Sequence, residues 1–545
     1  MKHIPNSRSF ALLASALVVT TAVAPTAGAQ SSLSSSLPTS LLGSSSGSSN
    51  SSGSSRPGDD APAGTGDAGE TLWSESFDEV PNPVHFTHKV PEGWASEDTG
   101  VTSGEARWKG WTLTDIRHWT WAAGTDMRHW FTGAHDQIAV IDSKQQRLNA
   151  TDSMDAGLIT PDIPVAAQDR VALTFDHHYR QGSPDQKATV TVSFDGGEGD
   201  VVKQYTADEF SAHENLNVEV PAGAQDMKVR FDYLGGNDDW WWAIDNVAVS
   251  EPLGELPGEP ESIVDVLSDI QGDTKEYQQA IRHLNAMEDK ADALVLNGDL
   301  VNTGEQHLWD EFLAAHRAEP HDAEAELWTI GNHEMYGPDG SEKNLERFLK
   351  YSGQDKPYTE KMAGGVPLIS INTEYYSDVD RDGKEPFQRL SEEQLNWLDE
   401  RVGYWTSRGV TPLVFTHPVL PQTVSMTHSA WYQNDFEDLE ALSNVLNKYN
   451  NIVAFTSHTH SSLQQNDWWG MRRYDGTGEA GKKGFPVVNT GAITNEYRPG
   501  GDHDETIVDE GSITGLRVKT YSDRVRVEAW DFRKNEMIKY QDFAR

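Results

Sequence analysis

The chain has 545 residues, a formal net charge of −41, 37% hydrophobic residues and no cysteine. That length exceeds a single hydrophobic core and calls for two or more domains. The acidity disfavours nucleic-acid polymers as partners, and the lack of cysteine excludes disulfide staples and thiolate-type metal sites.

At the N-terminus, Lys2 and Arg8 precede an uncharged run over 9–24, followed by Ala27, Gly28 and Ala29. A basic end, an apolar core and a small-x-small site read as a secretory signal peptide over 1–29. The protein is therefore expected to be secreted, with no membrane attachment after cleavage. Residues 30–70 are Ser/Gly-rich without any apolar period and are expected to form a disordered linker.

Between 71 and 250 the chain changes to short β-branched or alternating runs, at 171–175, 188–194, 216–220 and 227–233, punctuated by turn residues such as Asp195, Gly196 and Gly197. Such texture predicts an all-β antiparallel sandwich. The run 239–247 (DWWWAIDNV), Gly110 with Trp111, and 157–161 (GLITP) resemble jelly-roll domains of the MAM or concanavalin-lectin kind. That resemblance implies a module that binds a cell-surface glycan or packs on its neighbour. Trp108, Trp111, Trp119, Trp121 and Trp130 fit either core packing or a sugar-binding face. In a strand Trp240 and Trp242 point opposite to Trp241. Asp238, Asp239 and Asp245 are candidates for structural Ca2+, with a solvated turn as the other reading of the first two. His118, His177 and His178 read as surface or capping residues.

Residues 251–261 (EPLGELPGEPE) hold three prolines and read as a stiff linker. From 262 to 545, strands alternate with amphipathic helices, which predicts an α/β layered domain. Helices are expected over 274–290, where Tyr277, Ile281, Leu284 and Met287 share a face, and over 305–316, 390–403 and 436–447. The runs 516–520, 524–530 and 537–540 predict a closing β-meander.

Five apolar runs in this region end on metal-binding groups. The run 262–271 ends in Asp269 and Gln271, and 293–299 ends in Asp299. The run 327–334 (LWTIGNHE) delivers Asn332 and His333, 412–417 ends in His417, and 452–460 ends in His458 and His460. Buried strands ending in polar side chains place them at the carboxyl edge of a sheet, where open α/β folds bind ligands. The donors are oxygen and nitrogen without sulfur, a set that suits Mn, Fe, Zn or Co. Seven ligands exceed one tetrahedral ion and fit two ions sharing a carboxylate, an arrangement that clamps both oxygens of a phosphoryl displacement.

In this order the motifs Asp-x-Gln, Gly-Asp, Gly-Asn-His-Glu, His and His-x-His resemble the calcineurin-like metallophosphoesterase superfamily, from about 261 to the C-terminus. The resemblance implies two mixed sheets flanked by helices. It also implies one divalent ion on Asp269, Gln271, Asp299 and His460, and another on Asp299, Asn332, His417 and His458. Asp299 would bridge them, and His333 would face the substrate phosphate. Gln271 stands where the family usually has His, which shifts that site towards a harder metal such as Mn, and Ser457 stands where Gly is usual.

The implied function is hydrolysis of small phosphate esters, whether monoester, diester or nucleotide, by a metal-bridging hydroxide, with His333 as the catalytic hydrogen-bond donor or acid. The loops 374–386, 421–436 and 466–484 are the expected pocket walls, carrying Trp431, Tyr432, Trp468, Trp469, Arg472 and Arg473. The alternative is a secreted adhesin or glycan-binding protein on a catalytically weak phosphoesterase scaffold. The acidic run 378–383 (DVDRDG) copies half a Ca2+ loop, but Arg389 stands where that loop needs Glu, so it reads as a surface turn.

Overall fold

A computed structural model of the protein describes residues 63–66, 69–98, 103–376, 388–428, 432–472, 484–501, 504–509 and 511–545. All of them fall within one compact unit, Asp60–Arg545. The signal peptide, most of the Ser/Gly-rich linker, the acidic run 378–383, Trp431 and Arg473 lie outside the described residues. Among the described residues no helix is long and apolar enough to cross a membrane.

The N-terminal part is a sandwich of two antiparallel sheets. One runs Asp200–Tyr205, Lys187–Phe194, Asp226–Gly236, Met154–Ile159 and Ala95–Asp98. The other runs Glu209–Glu219, Arg170–Tyr179, Trp241–Ser250, Gln137–Asp142, Thr112–Asp115 and Phe86–Thr87. Alternate residues of both sheets meet in a core that includes Trp111, Leu158, Phe175, Phe231 and Trp242. The opposite face of the second sheet is covered as well. The helix Ile116–Ala123 and the turn Arg128–Trp130 bring Trp119 and Phe131 against Trp241. Trp241 and Trp242 are thus both fully buried, on opposite faces of one strand.

One expectation is corrected here. His177 and His178 are core residues, fully buried in Arg170–Tyr179. His178 stacks on Phe131 and donates from Nε2 to the Met127 carbonyl at 3.0 Å. Of the five clustered tryptophans, Trp108, Trp111 and Trp119 are core, Trp130 is half-buried, and Trp121 alone is open, at 79% exposure. A broad sugar-binding face is therefore not present among them.

The C-terminal part has four layers. A mixed sheet runs Glu536–Ala544, Arg524–Asp531, Thr514–Thr520, Ser262–Leu267, Ala293–Asn297 and Ala325–Thr329, the last three parallel. A second runs Thr359–Ala363, Val366–Ser370, Leu413–Phe415, Val453–Thr456, Phe485–Asn489 and Trp469–Arg472, parallel at its centre and antiparallel at both edges. The sheets face each other across Val266, Val295, Leu327, Phe415, Phe455 and Val488. Helices Thr274–Ala286, Gln306–Ala318 and Ser341–Ser352 cover the first sheet, and Glu392–Thr406 and Leu439–Leu446 cover the second.

Strands buried on both faces need continuous apolar runs, which is why they were legible. The helix Ser341–Ser352 was not anticipated. Its Leu345, Phe348 and Leu349 nevertheless share one face and pack into the core under the first sheet. A further correction concerns the linker: Ala63–Gly66, inside the stretch expected to be disordered, pairs in parallel with the last strand at 539–542. The 251–261 segment holds no regular element, and Arg524 donates to the Gly254 carbonyl at 2.9 Å.

Candidate metal centre

Each of the five strand ends leads directly into a candidate ligand, and the two sheets bring these ends together. Asp269, Asp299 and His460 offer ligand atoms within 4.8 Å of one another, and so do Asp299, His417 and His458, so the two groups share Asp299. His417 Nε2 lies 3.2 Å from Asp299 Oδ2, and His460 Nε2 lies 3.2 Å from Asp269 Oδ1. Asn332 opens the short helix Asn332–Met335, where its Nδ2 donates to the Tyr336 hydroxyl at 2.8 Å.

The chain turns sharply at these points. Asp269, Gln271, Asp299, His458 and His460 all have φ between 46° and 69°. A left-handed backbone at a non-glycine residue costs of order 1 kcal/mol or more, and such strain collects at functional sites. Two glycines make room for the same turns. A Cβ on Gly331 would lie 2.0 Å from Asp299 Oδ1, and one on Gly298 would lie 2.5 Å from the His417 Nδ1.

Whether the residues suit cations follows from what they leave unpaired. Both carboxylate oxygens of Asp269, the Asn332 Oδ1 and the His417 Nε2 are buried without a hydrogen-bond partner. A buried carboxylate in that state costs several kcal/mol unless a positive charge joins it. The imidazoles are already oriented for such a charge. His417 Nδ1 donates to the Asn297 carbonyl at 2.9 Å, and His460 Nδ1 donates to the Asn495 carbonyl at 3.1 Å. Each therefore turns Nε2 to the cluster, as metal-binding histidines do. The donor set fits two divalent ions.

The same proximity perturbs the titration. Burial alone would lower the His417 imidazole, but the Asp299 carboxylate overrides it and pushes the group up to about 10. Burial and the neighbouring His417 push His458 down to about 3. Asp299, despite burial, is held well below the usual carboxylate range by His417 and His333.

Gln271 behaves differently from the expected amide-oxygen ligand. Its Nε2 donates to Asp299 Oδ2 and to His460 Nε2, both at 3.2 Å, so the nitrogen faces the cluster. A half-turn of the amide would put the oxygen at the same point. Ser457 is accounted for by its hydroxyl, which accepts from Asn297 Nδ2 at 2.6 Å and bonds Thr490 Oγ1 at 2.8 Å. It locks the sheet edge that carries His417.

His333 is less buried than the others. Its backbone N–H donates to Asp299 Oδ1 at 2.9 Å, its Nδ1 donates to the Asn302 carbonyl at 2.8 Å, and its Nε2 lies 3.9 Å from Asp299 Oδ2. The ring therefore sits beside the shared carboxylate with Nε2 turned to the cluster.

Two acidic residues were missed in the sequence. Glu334 is fully buried and accepts from four backbone amides: Asp299 and Gly331 on one oxygen, Leu300 and Val301 on the other. Burial and the Asp299 charge push it up to about 7. It clasps the turn that carries Asp299, and the only sequence signal was its position three residues after Gly331. Asp435, also buried, lies 3.9 Å from His458 Nε2. Tyr432 edges onto the His458 ring at 5.4 Å. Trp468 and Trp469, expected as pocket wall, instead pack into the core between the sheets, and Arg472 donates to the Pro421 carbonyl.

The Ca2+ candidates in the sandwich do not converge. Asp245 accepts from the His135 and Asn246 amides, Asp239 accepts from Ser183 and Asn237, and Asp238 pairs with Lys144 at the surface.

Residues 263–462 match the family model for calcineurin-like phosphoesterase, and the class of this region is a metallophosphoesterase domain. The chain is similar in fold to a dimetal phosphatase from Danio rerio, at 14% identity, 52% of this chain, 99% of the other and a TM-score of 0.36. It is likewise similar to the purple acid phosphatase PPD1 of yellow lupin, at 14% identity, 75% and 82% coverage and a TM-score of 0.36. The K1 cleaved adhesin domain of Lys-gingipain from Porphyromonas gingivalis is similar over 34% of this chain and all of that one, at 18% identity and a TM-score of 0.24. A comparison with curated proteins finds no match.

Proposed function

We propose that the protein is a secreted, dinuclear-metal phosphoesterase that hydrolyses small phosphate esters. The observation that carries this reading is the pair of ligand groups sharing Asp299, with buried, unpaired oxygens on Asp269 and Asn332. In this reading Asp269, Gln271, Asp299 and His460 hold one ion, and Asp299, Asn332, His417 and His458 hold the other. Two divalent ions, with Mn favoured by the oxygen-rich donors, supply an activated water at neutral pH and offset phosphate charge.

The remaining work belongs to the chain. Glu334 holds the Asp299 turn through four amides, and the Asn297 and Asn495 carbonyls fix the imidazoles of His417 and His460. With Nδ1 committed to Asn302, His333 has only Nε2 for the substrate. From there it hydrogen-bonds a phosphoryl oxygen or returns a proton to the leaving oxygen. The net charge of −41 repels anionic polymers and leaves small esters, drawn in by the local cations, as the favoured class.

A second role for the sandwich is favoured by one feature. Trp121, beside the His118 ring at 5.6 Å, is an open aromatic plate of the kind sugars stack on. It supports glycan attachment alongside hydrolysis.

The test is hydrolysis of a chromogenic phosphodiester and the matching monoester by metal-stripped protein after adding back Mn, Zn or Fe. Metal-dependent turnover is expected, and its ratio between the two esters assigns the substrate class. A folded protein that turns over neither ester with any metal would leave the adhesin reading instead.

A further inference from the structure

The sandwich does more than sit beside the phosphoesterase domain. Its turn Arg128–Trp130 reaches both loops that flank the metal centre. The base of that turn is rigid. Arg128 is fully buried, donates from Nε to Asp142 Oδ2 at 2.9 Å and lies over the Trp241 ring at 4.3 Å. Met127, just before it, is held at a φ of 70°. What such a base carries is placed within narrow limits.

It carries His129 and Trp130. The His129 ring meets His428 edge-on at 5.0 Å, and the Trp130 ring lies 6.1 Å from the same imidazole. Trp130 also rests on Phe210 and donates from Nε1 to the Gly501 carbonyl at 3.0 Å. His428 belongs to the segment that follows His417. Met426, two residues before it, packs with Val419 and Tyr432, and Tyr432 touches His458. Gly501 caps the hairpin strand Glu496–Gly500, whose Tyr497 lies 5.7 Å from the His460 ring. The partner strand supplies Glu505, which accepts from the Tyr432 hydroxyl at 2.5 Å. One tryptophan of the sandwich therefore holds the two loops that bracket His458 and His460.

Next to this contact the interface is anchored in its interior. Thr132 donates to Asp467 Oδ2 at 2.9 Å, and Ser425 donates its amide to the Asp467 carbonyl at 2.8 Å. His135 Nε2 donates to the Met471 carbonyl at 3.2 Å.

We propose that Trp130 is a positioning residue of the phosphoesterase site, and that the sandwich, through it, sets the mouth that admits the part of the substrate beyond the phosphate. For what the mouth admits, the inference rests on the hydrolase reading above; for the placement of the two loops it does not. Among the described residues, the contacts of Trp130 go to Phe210, His428 and the Gly501 carbonyl and to none of the candidate ligands, so ion binding should be independent of Trp130. A bulky ester, which must fit between the two loops, should feel its loss more than a small one.

The experiment uses the full chain with Trp130→Ala and Trp130→Phe. In Trp130→Ala, hydrogen exchange is expected to quicken at 421–428 and 496–501 but not at 453–456. Two metal ions per chain should be retained. KM for bis-p-nitrophenyl phosphate should rise about tenfold, with p-nitrophenyl phosphate changed less than about twofold. Trp130→Phe, which keeps a ring against His428 but no donor for Gly501, should recover the 421–428 segment and leave 496–501 loose. Unchanged exchange in both segments overturns the proposal whether or not the protein hydrolyses either ester. Equal losses on both esters with loss of metal would reduce Trp130 to a purely structural role and also overturn it. If the wild type hydrolyses neither ester, the hydrolase reading falls, and the exchange pattern still decides whether Trp130 positions the loops.

Discussion

The sandwich and the metal-binding edge of the phosphoesterase domain differ in how they treat buried aspartates. In the sandwich each one is answered from within the chain. Asp142 receives Arg128 and the Trp119 indole, Asp176 receives His213 and Asn246, and Asp245 receives two backbone amides. In the phosphoesterase domain Asp269 is as deeply buried with only the His460 and His417 imidazoles beside it, at 3.2 and 4.0 Å, and Asp299 is shared among His333, His417 and Gln271 on a left-handed turn. A fold that elsewhere satisfies its charges concentrates strain and unmet polarity at one sheet edge. That contrast, more than either domain alone, marks the candidate metal centre.

The contrast can be broken most severely at the shared ligand. Asp299→Ala removes the residue common to both groups, and hydrolysis should fall about 10^3-fold or more while the far-ultraviolet spectrum stays native. Gly331→Ala tests the same point without deleting a ligand. The added Cβ would press on Asp299 Oδ1, so metal titration should show affinity weakened about 100-fold. Glu334→Gln keeps the size of the clasp but loses its charge and, because an amide nitrogen cannot accept, two of its four backbone hydrogen bonds. It should weaken metal binding about tenfold, with kcat at saturating metal nearly restored.

Away from Trp130, a buried ion pair of the sandwich is expected to act on stability. Burial would raise Glu214, but His177 and Lys203 hold it down at about 2, below its ordinary 4.5. A carboxylate depressed in the folded state contributes stability that is present above pH 4.5 and is lost as pH falls towards 2. The unfolding free energy from denaturant titrations should therefore drop more across that window in the wild type than in Glu214→Gln, by of order 2 kcal/mol. The smallest effect is expected at Trp121. Trp121→Ala should change stability by less than about 0.5 kcal/mol and leave hydrolysis unaltered, while abolishing any retention on immobilised glycan.

Most of the layered architecture was legible because fully buried strands must be apolar and must end somewhere polar. The runs ending in Asp269, Asp299, His417 and His460 carry both signals, and the structure brings those four residues to one edge. The clasp by Glu334 was not legible, because four amide partners at 299–301 and 331 meet only after folding. Left-handed φ at five candidate ligands was hidden for a similar reason: nothing in Asp, Gln or His side chains announces a turn imposed by the sheet edge. In the sandwich, composition left the tryptophans between core and sugar face. A tryptophan cluster that fits a sugar face is mostly core, since a third layer of helix and loop covers the outer sheet and buries Trp119 with Trp241. His177 and His178 went inside with them. The strand Ala63–Gly66 borrows its order from the last strand, which a Ser/Gly-rich composition cannot reveal.

The most direct test of the central claim is a count of metal ions in purified protein, by elemental analysis after dialysis against a single divalent metal. Wild type should hold two ions per chain, His460→Ala about one, and Asp299→Ala essentially none, with all three folded. A wild type that holds no ion, or an Asp299→Ala variant that keeps both, would contradict the shared-carboxylate site and the phosphoesterase reading built on it.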